Sequence, residues 1–96
     1  MRKILLVDDE PIFRMGLRTI VPWEELGCQI IGEAKNGVEA LIQIEEKQPD
    51  IVFLDIKMPK MDGIQVLEKR KNCSDNPKFV VLSCFNEYEY VREAMK

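Results

Sequence analysis

The sequence ILLVDDE, at residues 4–10, places four apolar residues directly before three carboxylates. An apolar run without alternation is typical of a strand in a parallel sheet that is covered on both faces. Such runs recur at residues 51–54 and 79–82, and a more alternating run at residues 29–33 suits a strand at a sheet edge. With the first strand at residues 3–7, the sequence predicts four short strands.

Segments of helical period separate these strands. The predicted helices cover residues 11–20, 38–47, 63–71 and 87–96. Helical spacing allows one shared face for Ile12, Met15, Leu17 and Ile20 in the first helix, and it relates Val38, Leu41, Ile42 and Glu45 in the second. In the connection VPWEELGC, we expect Trp23 and Leu26 to fold back onto the body of the domain, since large aromatic side chains mostly contribute buried area. The alternation of strands and helices predicts an α/β fold, with a doubly wound parallel sheet between two helical layers. In such sheets, ligands bind beyond the carboxyl ends of the strands, where the strand order reverses.

The composition describes an ordinary globular protein. The chain has 96 residues, of which 46% are hydrophobic and 32% are charged, so one domain with one core is expected. Its net charge of −3 argues against binding of nucleic-acid phosphates by this segment. The longest apolar runs are far below the roughly 20 residues that cross a bilayer, and the N-terminus lacks the features of a signal peptide. We therefore expect a cytoplasmic location and no contact with a membrane.

Cysteine and histidine usage narrows the chemistry further. Cys28, Cys73 and Cys84 show no CxxC spacing, and the chain contains no histidine to complete a zinc site. We interpret these cysteines as reduced thiols. The absence of histidine also removes the commonest general base and the usual nucleophile pairs. Any chemistry must therefore depend on carboxylates.

Polar residues follow three of the predicted strands. Asp8 and Asp9 follow the first strand, Asp55 follows the third and Ser83 follows the fourth. An acidic run by itself is equally typical of a solvated loop, but Asp55 should emerge beside Asp8 and Asp9, and clustered carboxylates repel one another unless a cation holds them. Oxygen-rich sites suit Mg²⁺, beside which a carboxylate can act as a nucleophile toward a phosphoryl group. Ser83 is either a turn residue or a hydrogen-bond donor to that group.

Three segments together resemble the receiver domain of bacterial two-component response regulators. They are LLVDDEP near the N-terminus, PDIVFLDIKMPKMDG around Asp55, and VVLSCFNEYEYVREAMK at the C-terminal end. The resemblance covers residues 1–96 as one domain. It implies the flavodoxin-like, CheY-like version of the doubly wound sheet, a three-layer αβα arrangement that is here truncated to four βα units.

The resemblance also implies roles for individual residues. Asp55 would be the phosphoacceptor and Asp9 a direct Mg²⁺ ligand, while Asp8 would act through a metal-bound water and Lys57 through its backbone carbonyl. Ser83 would bond to the phosphoryl group and couple it to conformation. The implied partner is a sensor histidine kinase, and the stretch VPWEELGCQIIGEAKNGVEAL resembles regulators with a C-terminal DNA-binding domain of the AraC type. Without a fifth strand, the edge of strand four would invite pairing with a second copy in a homodimer.

The sequence departs from the family pattern at its C-terminal end. A family receiver has a fifth strand, which carries a lysine that contacts the phosphoryl group, and a fifth helix, whereas this sequence stops at Lys96. We therefore expect it to be part of a longer polypeptide. Cys84 stands where the family more often has glycine or alanine, and Phe85 and Lys57 would flank the path of attacking water, so slow hydrolysis of the aspartyl phosphate is expected.

Two alternative functions stay open on the sequence. The first is a Mg²⁺-dependent phosphohydrolase that works through an aspartyl intermediate, but Lys57 occupies the place where that mechanism needs an acid. The second is a receiver-like interaction module that is never phosphorylated, which the presence of Asp8, Asp9, Asp55 and Ser83 disfavours. The leading prediction is a phosphorylation switch rather than an enzyme.

Overall fold

The computed structural model describes residues 1–82. Its strands are Arg2–Val7 (β1), Cys28–Ala34 (β2), Ile51–Asp55 (β3) and Lys78–Leu82 (β4). Its helices are Pro11–Ile20 (α1), Gly37–Lys47 (α2) and Gly63–Arg70 (α3). All four predicted strands and the first three predicted helices are confirmed, each boundary within one residue. The helix predicted at residues 87–96 lies outside the described residues.

The four strands form one parallel sheet in the order β2-β1-β3-β4. β2 lies at an edge, as its alternating pattern predicts. From β1 the chain moves to β2 on one side and then returns past β1 to β3 on the other, so the order reverses between β1 and β3. Val7 pairs with Leu54, which brings the carboxyl ends of these two strands level. The predicted doubly wound α/β fold is confirmed.

The hydrophobic core lies on both faces of the sheet because β1 is buried on both. Leu5 and Val7 point to one face, where the core is completed mainly by α2, β3 and α3. Ile4 and Leu6 point to the other face, where they pack with Trp23, and Leu17 of α1 packs against this cluster. All four of these β1 side chains are at most 1% exposed. The helices therefore form a layer on each side of the sheet.

Trp23 anchors the connection between α1 and β2. It is 9% exposed, and its indole Nε1–H donates to the Leu17 carbonyl oxygen at 3.1 Å. Its ring meets Phe53 edge-on, with 5.4 Å between the ring centroids. The expectation for Leu26 is wrong, since the tight turn that directs Trp23 inward, with the Leu26 N–H donating to the Trp23 carbonyl, leaves Leu26 60% exposed.

The buried face of α2 differs from the one that its apolar spacing suggests. The spacing of Val38, Leu41 and Ile42 favours these residues as the core side, but Val38 is 42% and Ile42 50% exposed. Leu41 packs against the core as a partly buried side chain, and the fully buried side chains of this helix are Ala40 and Ile44. The reason is tertiary, because the first turn of α2 packs its smallest residues against the sheet and a neighbouring loop.

Helix α1 exposes most of its apolar side chains. Ile12, Met15 and Ile20 are 82%, 66% and 81% exposed, although the helical spacing suggested that they would share a covered face with Leu17. Only Leu17 of these four packs against the core. The apolar periodicity therefore identified the helix but did not identify the face that the described residues cover.

Side chains of α2 protect the exposed edge of β2. The pairing of β1 with β2 shifts register between Ile4 and Leu5, leaving Ile31 as an extra residue on β2. The Gln43 amide donates to the Glu33 carbonyl oxygen at 2.7 Å, and the Lys47 ammonium donates to that of Ile31 at 3.2 Å. Occupied carbonyls and an irregular ladder make this edge a poor template for another strand.

Arg70 fastens the end of α3 to its surroundings. Arg70 is 4% exposed. Its guanidinium donates to Glu45 Oε1 at 2.8 Å, to Asn76 Oδ1 at 2.8 Å and to Asp75 Oδ1 at 3.2 Å. One buried cation thus joins α2, α3 and the loop before β4. The buried guanidinium has a hydrogen-bond partner for each of its three nitrogens, which offsets the loss of hydration.

We expect Arg70→Met to lower the free energy of unfolding by about 2 kcal/mol, because hydrogen bonds to a charged group are lost while the packed volume is largely kept. Glu45→Gln is the matched control and should cost less than about 1 kcal/mol, since Glu45 is 70% exposed. Urea unfolding at neutral pH measures both. Equal losses in the two variants would contradict the assignment of Arg70 as the centre of this network.

Candidate functional site

The acidic residues predicted at the strand ends come together in the structure. Asp8 and Asp9 follow β1, and Asp55 is the last residue of β3. One carboxylate oxygen from each of the three lies within 4.8 Å of the others. Asp8 is buried, Asp55 is half-buried and Asp9 is exposed. The cluster therefore lies at the point where the strand order reverses, with one side open to solvent.

Asp8 is held by contacts to three of its polar groups. Its N–H donates to the Ala34 carbonyl oxygen at 3.0 Å, which extends the ladder between β1 and β2. Its Oδ1 accepts from the Glu10 N–H at 2.9 Å, and its backbone carbonyl accepts from Arg14 Nη1. Asp8 is 6% exposed. Its side chain is thus fixed in a position that faces the cluster.

The environment of Asp8 disfavours its charged form. Burial raises the pKa of this carboxyl above its ordinary value, and the charges of Asp9 and Glu10 act in the same direction. The hydrogen bond from the Glu10 amide and the charge of Arg14 lower the pKa, but they do not outweigh burial. A carboxylate kept charged at this place at neutral pH stores unfavourable free energy that a bound cation would relieve.

We expect Asp8→Asn to stabilise the metal-free protein at neutral pH, since asparagine can still accept from the Glu10 amide without a buried charge. Because the pKa of Asp8 is raised on folding, the unfolded chain binds fewer protons near that pKa, and the parent gains stability as the pH falls through it. The advantage of Asp8→Asn should therefore shrink on acidification. Thermal unfolding in EDTA from pH 7 to pH 4 measures it. A less stable variant at pH 7 would contradict this account.

The loop after β3 packs closely on the backbone of Asp55. The Gly63 N–H donates to the Ile56 carbonyl oxygen at 2.7 Å. A Cβ atom on Gly63 would stand 2.5 Å from the Asp55 carbonyl oxygen and 2.9 Å from the Ile56 Cα. Only glycine allows α3 to begin this close to the strand end. The start of α3 therefore fixes the backbone that carries Asp55.

Two helix N-termini hold the same loop in place. At the start of α3, Asp62 and Gln65 form a capping box, with the Gln65 N–H donating to Asp62 Oδ1 at 2.9 Å and Gln65 Oε1 accepting from the Asp62 N–H at 3.0 Å. At the start of α2, the Gly37 N–H donates to the Met61 carbonyl oxygen at 2.8 Å. Asn36 caps α2 by accepting from the Glu39 N–H at 2.9 Å. The loop is thus braced from both sides.

The predictions for the other residues around the site stay untested. Lys57 lies in the loop after β3 with an exposed side chain, and the role of its backbone carbonyl stays a prediction. Ser83, Cys84 and Phe85 lie outside the described residues, so the predictions for them are unchanged. Cys28 and Cys73 are free thiols.

The structure adds Arg14 and Glu33, which the sequence did not suggest for this region. The Arg14 Nε–H donates to Glu33 Oε1 at 2.9 Å, and Arg18 donates to Glu33 Oε2 at 2.8 Å through Nη2. Burial by itself would raise the pKa of Glu33, but the hydrogen bonds from Arg18 and Arg14 outweigh it, so the pKa is lowered. The contacts between these arginines and Glu33 depend on how α1 crosses β2, and the spacing of residues in the sequence does not predict that crossing.

Comparison with known proteins identifies the family of the chain. The chain matches the response regulator receiver domain family over residues 4–96. It belongs to this family. The receiver is 51% identical over its whole length to the uncharacterized transcriptional regulatory protein YesN of Bacillus subtilis, of which it covers 26%. It is also 36% identical to the transcriptional regulatory protein HptR of Staphylococcus aureus, covering 37% of that protein.

Solved receiver structures confirm the CheY-like fold. The receiver superposes on the REC domain of AraT, a response regulator from Geobacillus stearothermophilus, with a TM-score of 0.90 at 33% identity, covering 98% of this chain and 73% of that one. An AraC two-component transcriptional regulator from Clostridium phytofermentans gives a TM-score of 0.88 at 29% identity, covering 100% and 74%. Neighbours of the LuxR family have the same fold. The receiver thus spans about a quarter to two fifths of its curated relatives.

Within residues 1–82, no helix combines the length and apolar character that a membrane span requires.

Proposed function

We propose that this receiver accepts a phosphoryl group from a sensor histidine kinase on Asp55, with Mg²⁺ held by the surrounding acids, and that phosphorylation switches an output carried elsewhere in a longer protein. The observation that carries this proposal is the group of three carboxylates, Asp8, Asp9 and Asp55, with oxygens within 4.8 Å of one another at the reversal of strand order.

The donor set fits Mg²⁺ in both chemistry and charge. Mg²⁺ prefers oxygen ligands in octahedral geometry and keeps several waters, and a site with one exposed acid, Asp9, leaves room for those waters. The raised pKa of Asp8 shows that its charged form is disfavoured in the metal-free protein, which supports binding of a cation here. Under this proposal Asp9 and Asp55 bind the ion directly, Asp8 acts through a bound water, and the Lys57 carbonyl supplies a further oxygen.

The protein's own part in the transfer is nucleophilic attack and positioning. A carboxylate oxygen of Asp55 forms a bond to phosphorus as the bond to the leaving group of the donor breaks, which gives an aspartyl phosphate. Bound Mg²⁺ would neutralise charge on the transferring oxygens. The braced loop after β3 holds Asp55 for this attack, and positioning of this kind contributes much of the rate in such transfers. Ser83 would donate to the phosphoryl group after transfer.

The names of the relatives support a transcriptional output for the switch. YesN and HptR are transcriptional regulatory proteins by name, and structural neighbours include regulators of the AraC and LuxR types. These observations support a C-terminal DNA-binding domain, of the AraC type in our proposal, in the longer protein. They also support a signalling role over that of a free-standing phosphohydrolase. A homodimer and a cytoplasmic location stay predictions.

The proposal predicts Mg²⁺-dependent self-phosphorylation from a small-molecule donor. The intact protein, incubated with acetyl phosphate and Mg²⁺, should gain the mass of one phosphoryl group, and the same incubation in excess EDTA should leave the mass unchanged. Intact-mass spectrometry at intervals measures both. Equal uptake in EDTA would remove the cation from the mechanism, and no uptake in Mg²⁺ would favour the unphosphorylated interaction module.

A further inference from the structure

Arg14 is the residue that joins the acidic cluster to the edge of the sheet. From α1, its Nη1 donates to the backbone carbonyl of Asp8, and its Nε donates to Glu33 Oε1 on β2 at 2.9 Å. The two donor groups belong to one planar guanidinium, so the positions of Asp8 and Glu33 are fixed relative to each other. The side chain of Arg14 is 16% exposed, which leaves it little freedom to leave this position.

Glu33 is itself restrained from a second direction. Arg18, one turn along α1, donates to Glu33 Oε2 through Nε at 3.1 Å and through Nη2 at 2.8 Å. Both carboxylate oxygens of Glu33 therefore accept from α1, and its backbone belongs to the ladder with β1. The carboxylate is a fixed anchor for Arg14. Among the described residues, Arg18 donates to Glu33 and, unlike Arg14, makes no hydrogen bond to Asp8.

Charge alone does not explain an arginine at this place. A cation near three carboxylates that are to bind Mg²⁺ competes with the metal and, by charge alone, weakens its binding. Glu33 carries one negative charge and faces both Arg14 and Arg18, so it offsets the charge of Arg14 only in part. The contact that charge alone does not explain is the hydrogen bond from Arg14 to the Asp8 carbonyl. That bond restrains the backbone between Asp8 and Glu10, where the Glu10 amide orients the Asp8 carboxylate.

We propose that Arg14 is a positioning residue for the divalent-cation site: without touching the ion, it holds the Asp8 carbonyl against the Glu33 anchor and so orients Asp8 and Asp9 toward the metal. This inference rests on the proposed function of the cluster as a Mg²⁺ site. Mutation of a residue that hydrogen-bonds to a metal ligand without touching the metal typically lowers the metal affinity 10- to 100-fold. A lysine at position 14 keeps the charge but lacks the fork that bridges both partners.

The test compares Arg14→Met, Arg14→Lys and Arg18→Met in the intact protein, with Mg²⁺ affinity measured by titration calorimetry. Arg14→Met should raise the Kd by at least about tenfold, and Arg14→Lys should give a Kd between those of the parent and Arg14→Met. Arg18→Met removes the same charge from the same helix and should change the Kd by less than about threefold. Tighter binding by Arg14→Met would mean that Arg14 acts only through its charge, and the proposal would be overturned.

A second readout needs no metal and separates this inference from the proposed function. Amide hydrogen exchange of Glu10, whose N–H donates to Asp8, should be faster in metal-free Arg14→Met than in metal-free Arg18→Met, with thermal unfolding confirming that both are folded. Equal exchange in the two variants overturns the positioning role. If Glu10 exchanges faster in Arg14→Met but the parent protein binds no Mg²⁺, the proposed cation site is contradicted. Arg14 would still be the residue that orders this loop.

Discussion

Gly63→Ala should destabilise the receiver and slow phosphoryl uptake together. The new methyl group would stand 2.5 Å from the Asp55 carbonyl oxygen and 2.9 Å from the Ile56 Cα. Both are backbone atoms, so a rotamer change cannot relieve the contact, and either α3 or the end of β3 must shift. Overpacking of this kind typically costs 1–3 kcal/mol. A displaced Asp55 should also react about 10- to 100-fold more slowly, since misplacement by about 1 Å has effects of that size.

Gly16→Ala is the matched control for this substitution. Gly16 lies within α1, and a Cβ atom built on it meets no atom of residues 1–82 within 4 Å. Alanine there should stabilise the protein by about 0.5–1 kcal/mol through its higher helix propensity. Urea unfolding and the rate of mass gain from acetyl phosphate measure both variants. If Gly63→Ala kept the parent's stability and rate of phosphoryl uptake, the close packing of α3 on Asp55 would be needed for neither.

Asp55→Asn should abolish phosphoryl uptake altogether. The amide is nearly the same size as the carboxylate, so the fold should persist, but it lacks the anionic oxygen that attacks phosphorus. Removal of one of three clustered charges should also weaken Mg²⁺ binding. Intact-mass spectrometry after incubation with acetyl phosphate and Mg²⁺ gives the uptake, and titration calorimetry gives the affinity.

The control for this variant lies just before the other end of the same strand. Asp50 precedes β3, and its carboxylate accepts from the Lys3 N–H at 2.7 Å, away from the acidic cluster. Asp50→Asn retains an oxygen acceptor for that bond and should take up one phosphoryl group at the parent's rate. Continued uptake by Asp55→Asn would place the acceptor on another residue.

The strands and the acidic cluster could be predicted from sequence because each depends on short-range pattern. Four apolar residues in a row identify β1, β3 and β4 as strands, although only β1 is buried on both faces by the described residues. The rule for parallel sheets then places Asp8, Asp9 and Asp55 at one edge. The geometry of the cluster agrees with that prediction. Nothing beyond residue order and a topological rule was needed.

The orientation of helices and the contacts behind the site could not be predicted in the same way. The buried face of α2 is set by Ala40 and Ile44, because the first turn packs on the Met61 carbonyl rather than following the apolar spacing. The bond from Arg14 to Asp8 and Glu33 depends on the crossing of α1 over β2. Such contacts join elements that are far apart in sequence, so the hydrophobic periodicity of a single helix or strand does not predict them.

The most direct test of the proposed phosphoacceptor is to locate the phosphoryl group within the intact protein. After incubation with acetyl phosphate and Mg²⁺, reduction with borohydride converts an aspartyl phosphate into homoserine, and mass spectrometry of the peptides identifies the changed residue. We predict homoserine at position 55 alone, with Asp8 and Asp9 unmodified. Homoserine at position 8 or 9, or phosphate retained on a hydroxyl side chain, would contradict Asp55 as the phosphoacceptor.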